Sequence, residues 1–215
     1  MFSGIIEAQG QCVSIQELPQ ALQLKISRPS SFKDLKRGDS IAVDGVCLTV
    51  EDLQKPFFQV TIGFETLQVT RWTPSFLERK LLNLERSMIW GDRNHGHWVT
   101  GHVDGVAQVT SVISQGPSRL LTLRLSSVFY PYLWPKGSVA LNGVSLTVNK
   151  VGEVAEQKGF LYLDICLIPE TLRKTNLSQL EEGDMVNFEL DQWARAFVHW
   201  RRLQEEGYLF KEMGS

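Results

Sequence analysis

The sequence predicts a mainly β protein in which two copies of one small barrel follow each other and a helix comes last. Three observations support this prediction: an internal repeat, short apolar runs between turn residues, and helical spacing of apolar residues near the C-terminus. Residues 40–50 read SIAVDGVCLTV and residues 138–148 read SVALNGVSLTV, with identical residues at seven of the eleven positions. The strength of this match indicates a duplication.

Further matches lie at nearly the same offset. Residues 100–104 (TGHVD) correspond to residues 3–7 (SGIIE), and residues 169–172 (PETL) correspond to residues 64–67 (FETL). A fainter match relates residues 186–189 (VNFE) to residues 82–85 (LNLE). Because the matches keep the same order in both halves, we interpret the chain as a tandem duplication.

Each half contains runs typical of antiparallel strands, such as FFQVTI, LLTLRL and FLYLDICLI. Turn residues bound these runs, and Asp44-Gly45 and Asn142-Gly143 predict tight hairpins because both residue types tolerate a positive φ. Several short strands in each half favour a small closed barrel, which leaves no exposed sheet edge.

The C-terminal segment from Asp191 to Lys211 has a different pattern. Its apolar residues follow the spacing of one helix face: Trp193, Ala196, Phe197, Trp200 and Leu203. Asp191 is a suitable N-cap and Gly207 a suitable end. The apolar face of this helix either docks on its own barrel or associates with other copies of the helix.

Composition excludes several classes of function. The net charge of −2 gives no reason to expect a nucleic acid or an anionic membrane as partner. The cysteines Cys12, Cys47 and Cys166 are odd in number and far apart, which disfavours a disulfide framework or a zinc knuckle. The N-terminus lacks the features of a signal peptide, and no apolar run approaches the roughly 18 residues of a membrane span. We expect a reduced, cytoplasmic protein.

No familiar catalytic motif of a hydrolase, metalloprotease or nucleotide-binding enzyme is present. His95, His97 and His102 lie close together, and a zinc site is conceivable, but no cysteine or acidic residue nearby has suitable spacing. Residues 45–49 (GVCLT) and 143–147 (GVSLT) each place two small polar side chains on one strand face. This pattern either serves strand packing or forms a binding site.

Five segments of the chain resemble those of the riboflavin synthase family: MFSGIIEAQG, GDSIAVDGVCLTV, HWVTGHVDG, KGSVALNGVSLTVN and LIPETLRKTNL. The resemblance covers essentially the whole chain, in order and in both repeats. It implies a mainly β fold of two tandem six-stranded Greek-key β-barrels related by internal duplication, plus a C-terminal α-helix. The expected boundaries are residues 1–97 and 98–190 for the barrels and residues 191–215 for the helix.

The resemblance also implies an activity. Riboflavin synthases dismutate two molecules of 6,7-dimethyl-8-ribityllumazine, by transfer of a four-carbon unit, into riboflavin and 5-amino-6-(D-ribitylamino)uracil. They use no metal and no redox cofactor. The family is typically a homotrimer whose active sites pair the N-terminal barrel of one subunit with the C-terminal barrel of a neighbour. A physical partnership with lumazine synthase is left open.

By position, the resemblance assigns a lumazine to each barrel. The N-terminal pocket is expected to comprise Gly4, Ile5, Ile6, Cys47, Leu48, Thr49, Thr61, Ile62, Gly63, Phe64, Glu65 and Thr66. The C-terminal pocket is expected to comprise Gly101, His102, Val103, Ser145, Leu146, Thr147, Cys166, Leu167, Ile168, Pro169, Glu170 and Thr171. Lys136 also matches a family binding position.

Catalytic roles follow from the chemistry that the family performs. A proton must leave the C7 methyl group of one lumazine, and a nucleophile must add at C7 of the other. We expect His102, with Ser145 and Thr147, to handle the proton in the C-terminal pocket. Cys47 and Ser40 are candidates near the nucleophilic step, and Asp191 is placed like an assisting acid. Packing roles remain alternatives for His102 and Cys47, as does a plain helix cap for Asp191.

Two other functions remain open at this point. Lumazine-type antenna proteins share the fold and hold one lumazine or flavin without converting it. A scaffold barrel with no small ligand is the second alternative. Segment 71–82 departs from the family's usual threonine-rich turn, and the sequence assigns it no role.

Overall fold

The computed structural model describes residues 1–78, 80–155 and 157–208 and confirms the mainly β fold with two similar halves. Seven strands form the first half: β1 (Ala8–Leu18), β2 (Ala21–Ser27), β3 (Ser40–Val43), β4 (Val46–Thr49), β5 (Asp52–Gln54), β6 (Phe57–Gly63) and β7 (Leu81–Arg86). Six strands form the second: β8 (Gly105–Gln115), β9 (Ser118–Ser126), β10 (Ser138–Leu141), β11 (Val144–Glu153), β12 (Phe160–Leu167) and β13 (Met185–Leu190). Short helical segments connect them: α1 (Phe64–Thr70), α2 (Pro74–Leu77), α3 (Pro169–Lys174) and 3₁₀ turns at Ser127–Tyr132 and Asn176–Gln179.

The second half is a closed barrel with the strand order β10-β11-β12-β9-β8-β13. The first half has the order β4-β3-β7-β1-β2-β6-β5, in which β4 and β5 together occupy the place of β11. The chain stays extended between them, because the amide of Glu51 donates to the carbonyl of Gln59 in β6. The two halves therefore share one strand order, as a duplication requires.

Alternating side chains fill a separate core in each half. In β2, Leu22, Leu24 and Ile26 are buried while their neighbours are half-buried, and Leu121, Leu123 and Leu125 repeat this pattern in β9. A strand points successive side chains to opposite faces, so this spacing directs one set into the barrel. The cores hold each barrel rigid and leave its rim available for a site.

A buried polar network joins the two barrels at the hairpin turns. The carboxylate of Asp44 accepts hydrogen bonds from the Asn83 amide (2.6 Å) and the Asn176 side chain (2.8 Å). The Asn187 side chain donates to the carbonyl of Asp44, and the Asn83 side chain donates to the carbonyl of Asn142. Burial raises the pKa of Asp44 to about 7, although both hydrogen bonds to its carboxylate oppose the shift.

The predicted C-terminal helix is α4 (Gln192–Glu205), capped by the Asp191 side chain, which accepts from the amide of Trp193. Gly207 follows its end with a φ of 73°, as a helix terminus requires. Ala194 is buried, but Trp193 is 70% exposed and Phe197 65% exposed. The helix therefore docks on its own chain through one side and leaves an aromatic face uncovered. Residues 209–215 of the predicted tail lie outside the described residues.

No helix in the described part of the chain is long and apolar enough to cross a membrane.

Candidate functional site

Two segments that precede the first strand of each barrel lie side by side. Phe2 and Val99 form an antiparallel bridge with hydrogen bonds of 2.8 and 3.1 Å. The segments 3–6 and 100–103 continue from this bridge in opposite directions. The side chain of Ile6 packs in the core of the second barrel, and Val103 packs against the core of the first. Each segment thus crosses to the other barrel before its own barrel begins.

A buried glutamate clamps each crossing segment. Glu85 accepts hydrogen bonds from the Ser3 amide (2.7 Å), the Ser3 hydroxyl (2.8 Å) and the Gly4 amide (3.0 Å). Glu189 accepts the equivalent three bonds from Thr100 and Gly101, at 2.6, 2.8 and 2.9 Å. Burial raises the pKa of the Glu85 carboxyl to about 7. Both clamps fix the backbone immediately before the predicted site residues.

The two glycines place these segments against the facing strands. The carbonyl of Gly4 accepts from the Ser145 amide at 2.8 Å, and the carbonyl of Gly101 accepts from the Cys47 amide at 2.9 Å. A Cβ on Gly4 would lie 2.6 Å from the Ser145 Cβ, and one on Gly101 would lie 2.4 Å from the Cys47 Cβ. Only glycine allows this approach, which also requires a positive φ at both positions.

The first site, which we name the Cys47 pocket, is a cavity of about 240 Å³ lined by Val46, Cys47, Glu65, Thr66, Val69, Thr70, Gly101, His102 and Val103. His102 is exposed at its rim. The prediction that residues 101–103 belong with Ser145 was therefore wrong. Repeat matching identifies equivalent residues, but it does not reveal that the segment crosses to the other barrel.

The second site is the region around Ser145, where Gly4 takes the place of Gly101, and we name it the Ser145 pocket by its equivalence to the first. The expected grouping of Gly4, Ile5 and Ile6 with Cys47 was wrong for the same reason. His97 Nδ1 lies 2.7 Å from Ser145 Oγ, and His97 is only 9% exposed. Its Nε2 is buried without a hydrogen-bond partner in the described part of the chain. Burial lowers the pKa of His97, while the charge of Asp191 opposes the shift.

Sequence reasoning missed the pairing of His97 with Ser145. It considered His97 only as a conceivable zinc ligand, together with His95 and His102. Among the residues described, no three His, Cys, Asp or Glu side chains are close enough to hold a metal ion. His97 and Ser145 are 48 positions apart, so the order of residues along the chain does not show that their side chains meet in the folded protein.

The remaining binding predictions separate into rim and core residues. Thr49 and Thr147 are exposed, Cys47 and Ser145 are half-buried, and Phe64 and Ile168 are exposed at the starts of α1 and α3. Four other predicted residues are buried in the barrel cores, and they can reach a ligand only through their backbone: Leu48, Ile62, Leu146 and Leu167. Strand alternation thus divides each predicted stretch into pocket and packing positions.

The other predicted binding residues lie in β6 and β12 and at the starts of the helices that follow them. Thr61 is half-buried and donates to the Glu51 carboxylate at 2.9 Å. Cys166 is a half-buried free cysteine, and Thr171 is half-buried in α3. Gly63 and Pro169 are exposed where the short helices begin. Glu170 is exposed and pairs with Arg173 and Lys174, which lower the pKa of its carboxyl.

Three further predicted residues lie outside the lining of the Cys47 pocket: Ser40, Lys136 and Asp191. Ser40 lines a cavity of about 770 Å³ that also contains Ile5 and does not contain Cys47, and its predicted place near the nucleophilic step stays a prediction. It pairs with Thr49 across the hairpin, so Ser40 lies on the strand face that also carries Thr49 and Cys47. Lys136 is exposed in the turn before β10. Asp191 caps α4, as the alternative for it proposed.

Comparisons with known proteins find a matching family and similar sequences. The lumazine binding domain family matches residues 3–87 and 100–191. A riboflavin synthase of Brucella abortus is 38% identical over 91% of this chain and 95% of its own length. One of Bacillus subtilis is 36% identical over 89% of this chain and 85% of its own.

Solved structures share the fold. The structure of LumP complexed with riboflavin has a TM-score of 0.77 and 21% identity, covering 88% of this chain and 99% of that chain. LumP complexed with 6,7-dimethyl-8-(1'-D-ribityl) lumazine has a TM-score of 0.76 and 22% identity, covering 88% of this chain and 98% of that one.

Proposed function

The chain belongs to the riboflavin synthase family and is an enzyme of that type, and we propose that its two pockets hold the two lumazines that react. The reaction dismutates two molecules of 6,7-dimethyl-8-ribityllumazine into riboflavin and 5-amino-6-(D-ribitylamino)uracil. The observation that carries the assignment of the pockets is their matched construction, with one glutamate clamp and one glycine contact in each. Two similar pockets suit two identical substrates, and holding both supplies proximity and orientation.

In the Ser145 pocket, the pair of Ser145 and His97 removes the proton from the C7 methyl group. The Ser145 hydroxyl accepts this proton while it passes its own to His97 Nδ1, 2.7 Å away. Because burial lowers the pKa of His97, the imidazole is neutral and can accept a proton near pH 7. The charge of Asp191 then stabilises the imidazolium that forms. Thr147, two residues after Ser145, lies on the same strand face and is available to the ribityl chain.

In the Cys47 pocket, the second lumazine receives the nucleophile at C7. Cys47 lies beside Gly101 on the cavity wall, and His102 lies at the rim. His102 removes a proton from water or from the Cys47 thiol as the new bond to C7 forms. The carbanion carbon of the first lumazine then bonds to C6 of the second. The second lumazine gives up its four-carbon unit as its two ring C–N bonds break, which releases the ribitylaminouracil, and the nucleophile added at C7 leaves again. One lumazine gains the four carbons that the other loses, so the overall reaction requires no external oxidant or reductant.

Riboflavin formation tests this function directly. Purified protein incubated with 6,7-dimethyl-8-ribityllumazine should produce riboflavin, followed by its absorbance and fluorescence, with one riboflavin for two lumazines consumed. A non-catalytic antenna protein of the same fold is the second candidate, favoured by the likeness to LumP. Tight lumazine binding without riboflavin would support the antenna function and contradict the enzymatic one.

We propose a homotrimer in which the Cys47 pocket of one subunit faces the Ser145 pocket of its neighbour. The aromatic face of α4 supports this assembly, because Trp193, Phe197 and Trp200 are exposed in the single chain. Deletion from residue 194 onward should give monomers. Phe197→Glu should do the same, while Arg201→Ala, which alters an exposed pair with Glu205, should leave the trimer intact. Trimers in the Phe197 variant, measured by light scattering, would contradict this role.

We also propose that residues 1–97 and 98–190 act as the two lumazine-binding units and that residues 191–215 serve assembly. A cytoplasmic location suits the three free cysteines, Cys12, Cys47 and Cys166.

A further inference from the structure

Two equivalent acids, Glu7 and Asp104, follow the crossing segments. Each accepts a backbone hydrogen bond near the end of the last strand of its barrel, from the Arg86 amide at 2.7 Å and from the Leu190 amide at 2.8 Å. Each carboxylate also pairs with an arginine. The source of the arginine differs between the halves. Arg86 is the last residue of β7, whereas Arg195 belongs to α4.

Arg195 makes a second contact that Arg86 lacks. Its Nη2 lies 2.5 Å from Asp104 Oδ1 and donates to the carbonyl of His102 at 3.2 Å. One guanidinium therefore holds both the backbone of His102 and the acid two residues later. Among residues 1–78, 80–155 and 157–208, no side chain donates to the carbonyl of Ile5, which is the equivalent of His102.

Burial makes this arrangement more than a surface ion pair. The Asp104 side chain is only 10% exposed, and the Arg195 side chain is 35% exposed. Arg195 Nε is fully buried and has no partner in the described part of the chain. Burial raises the pKa of Asp104, and the positive charge of Arg195 opposes this shift. A partly buried guanidinium with two fixed acceptors has little freedom to move independently of the segment that it holds.

Helix α4, which carries Arg195, also has an uncovered aromatic face. Trp193, two residues before Arg195, is 70% exposed, and Phe197, two residues after it, is 65% exposed. The side of the helix that carries Arg195 faces the active-site segment, and the other side faces outward. A change in how α4 is held therefore reaches His102 through the Arg195 side chain.

We propose that Arg195 is a positioning residue that fixes the His102 segment and makes its geometry depend on the docking of α4. The inference rests on the proposed function, because it assigns Arg195 an effect that passes through His102. It gives the helix a role in turnover as well as in assembly. In the first barrel, Arg86 performs the equivalent pairing within the barrel itself, so the segment that contains Ile5 is held without a residue of α4.

Four single variants test the proposal in the full-length protein. Arg195→Gln removes the charge and should lower kcat about tenfold while KM for 6,7-dimethyl-8-ribityllumazine changes less than about threefold. Arg195→Lys keeps the charge and should recover at least half of the lost kcat. Asp104→Asn keeps an acceptor for the Leu190 amide and should lower kcat like Arg195→Gln. Arg201→Gln, on the exposed side of α4, is the matched control and should match the wild type.

A double variant separates positioning from general weakening. Since Arg195 acts through His102, adding Arg195→Gln to His102→Gln should cost no further activity beyond about twofold. A further tenfold loss in the double variant, or wild-type kcat in Arg195→Gln, would contradict the inference. If Arg195→Gln fails to assemble by light scattering, Asp104→Asn decides between these outcomes by the same kcat measurement. A wild-type chain that forms no riboflavin would instead contradict the proposed function.

Discussion

The Cys47 pocket and the Ser145 pocket have the same backbone construction and different chemical groups. In both, a crossing segment is clamped by a buried glutamate, and a glycine carbonyl binds a strand amide of the other barrel. The Ser145 hydroxyl contacts a buried histidine, His97, whereas the Cys47 thiol has no hydrogen-bond partner in the described part of the chain. The Cys47 pocket instead has His102 at its rim, and the repeat equivalent of His102 is Ile5, which lines the cavity that contains Ser40.

This difference separates what the duplication preserves from what it changes. The backbone hydrogen bonds and the glutamate clamps are the same in both pockets. The pockets differ in where their histidine lies, because His97 contacts Ser145 and His102 lies at the rim of the Cys47 pocket. A dismutation converts identical substrates in opposite directions, so identical sites would serve it poorly. The comparison therefore predicts that changes to the histidines and their partners have unequal effects in the two pockets.

Removal of His102 should give the largest effect. His102→Gln should lower kcat about 100-fold or more, which is the usual contribution of one acid–base group. His95→Gln is the matched control, because His95 is exposed and lies outside the Cys47 pocket. Steady-state riboflavin formation measures both variants. Equal activity of the two would remove His102 from the reaction.

The next two substitutions, Ser145→Ala and Cys47→Ala, remove equivalent small groups from the two pockets and compare their effects on turnover. Ser145→Ala removes the hydroxyl that contacts His97 and should lower kcat about 30-fold, with the acidic limb of the pH profile altered. Cys47→Ala should lower kcat less than about fivefold if water is the nucleophile at C7. Turnover from pH 5 to pH 9 measures both. A larger loss in Cys47→Ala than in Ser145→Ala would identify the thiol as the nucleophile and reverse this order.

The smallest expected effect is on stability and comes from the hairpin turns, where Asp44 of the first half corresponds to Asn142 of the second. Burial raises the pKa of Asp44 from 3.8 to about 7 in the folded chain. Between these pH values the unfolded chain has lost this proton and the folded chain retains it. The free energy of unfolding therefore falls as pH rises through this window, by about 1.4 kcal/mol per pH unit for one such group.

Asp44→Asn should remove the contribution of this group, because the amide oxygen still accepts from Asn83 and no longer titrates. Urea unfolding at pH 5, 6, 7 and 8 measures the slope. Glu85, whose pKa burial also raises to about 7, should leave a residual slope of the same sign. An unchanged slope in Asp44→Asn would show that Asp44 is ionised in the folded chain. Turnover should stay within about twofold of the wild type, since Asp44 lies outside both pockets.

Local patterns in the sequence predicted most of the fold. The duplication, the strand runs and α4 depend on repeats and periodicities of a few residues, which survive without knowledge of tertiary structure. The end of α4 before Gly207 followed from the same kind of signal. The interruption between β4 and β5 had no such signal, because the matching segment of the second half forms one continuous strand.

The site was only partly predictable, because its residues meet through long-range contacts. The sequence selected His102 and Ser145 by type and position, and their roles stay a prediction, but their expected grouping within one barrel was wrong. The crossing of residues 100–103 depends on hydrogen bonds to Glu189 and Cys47, which are far away along the chain. The role of His97 depends on its contact with Ser145, and that of Arg195 on its contact with Asp104.

The most direct test of the central claim, that two unequal pockets from neighbouring subunits form one site, is complementation between two impaired variants. His102→Gln has an intact Ser145 pocket, and Ser145→Ala has an intact Cys47 pocket. Co-expressed with different tags and purified as mixed trimers, they should recover up to about a third of wild-type turnover, since intact pockets meet at one of the three interfaces of each mixed trimer. Turnover no higher than the mean of the two parents would contradict the account.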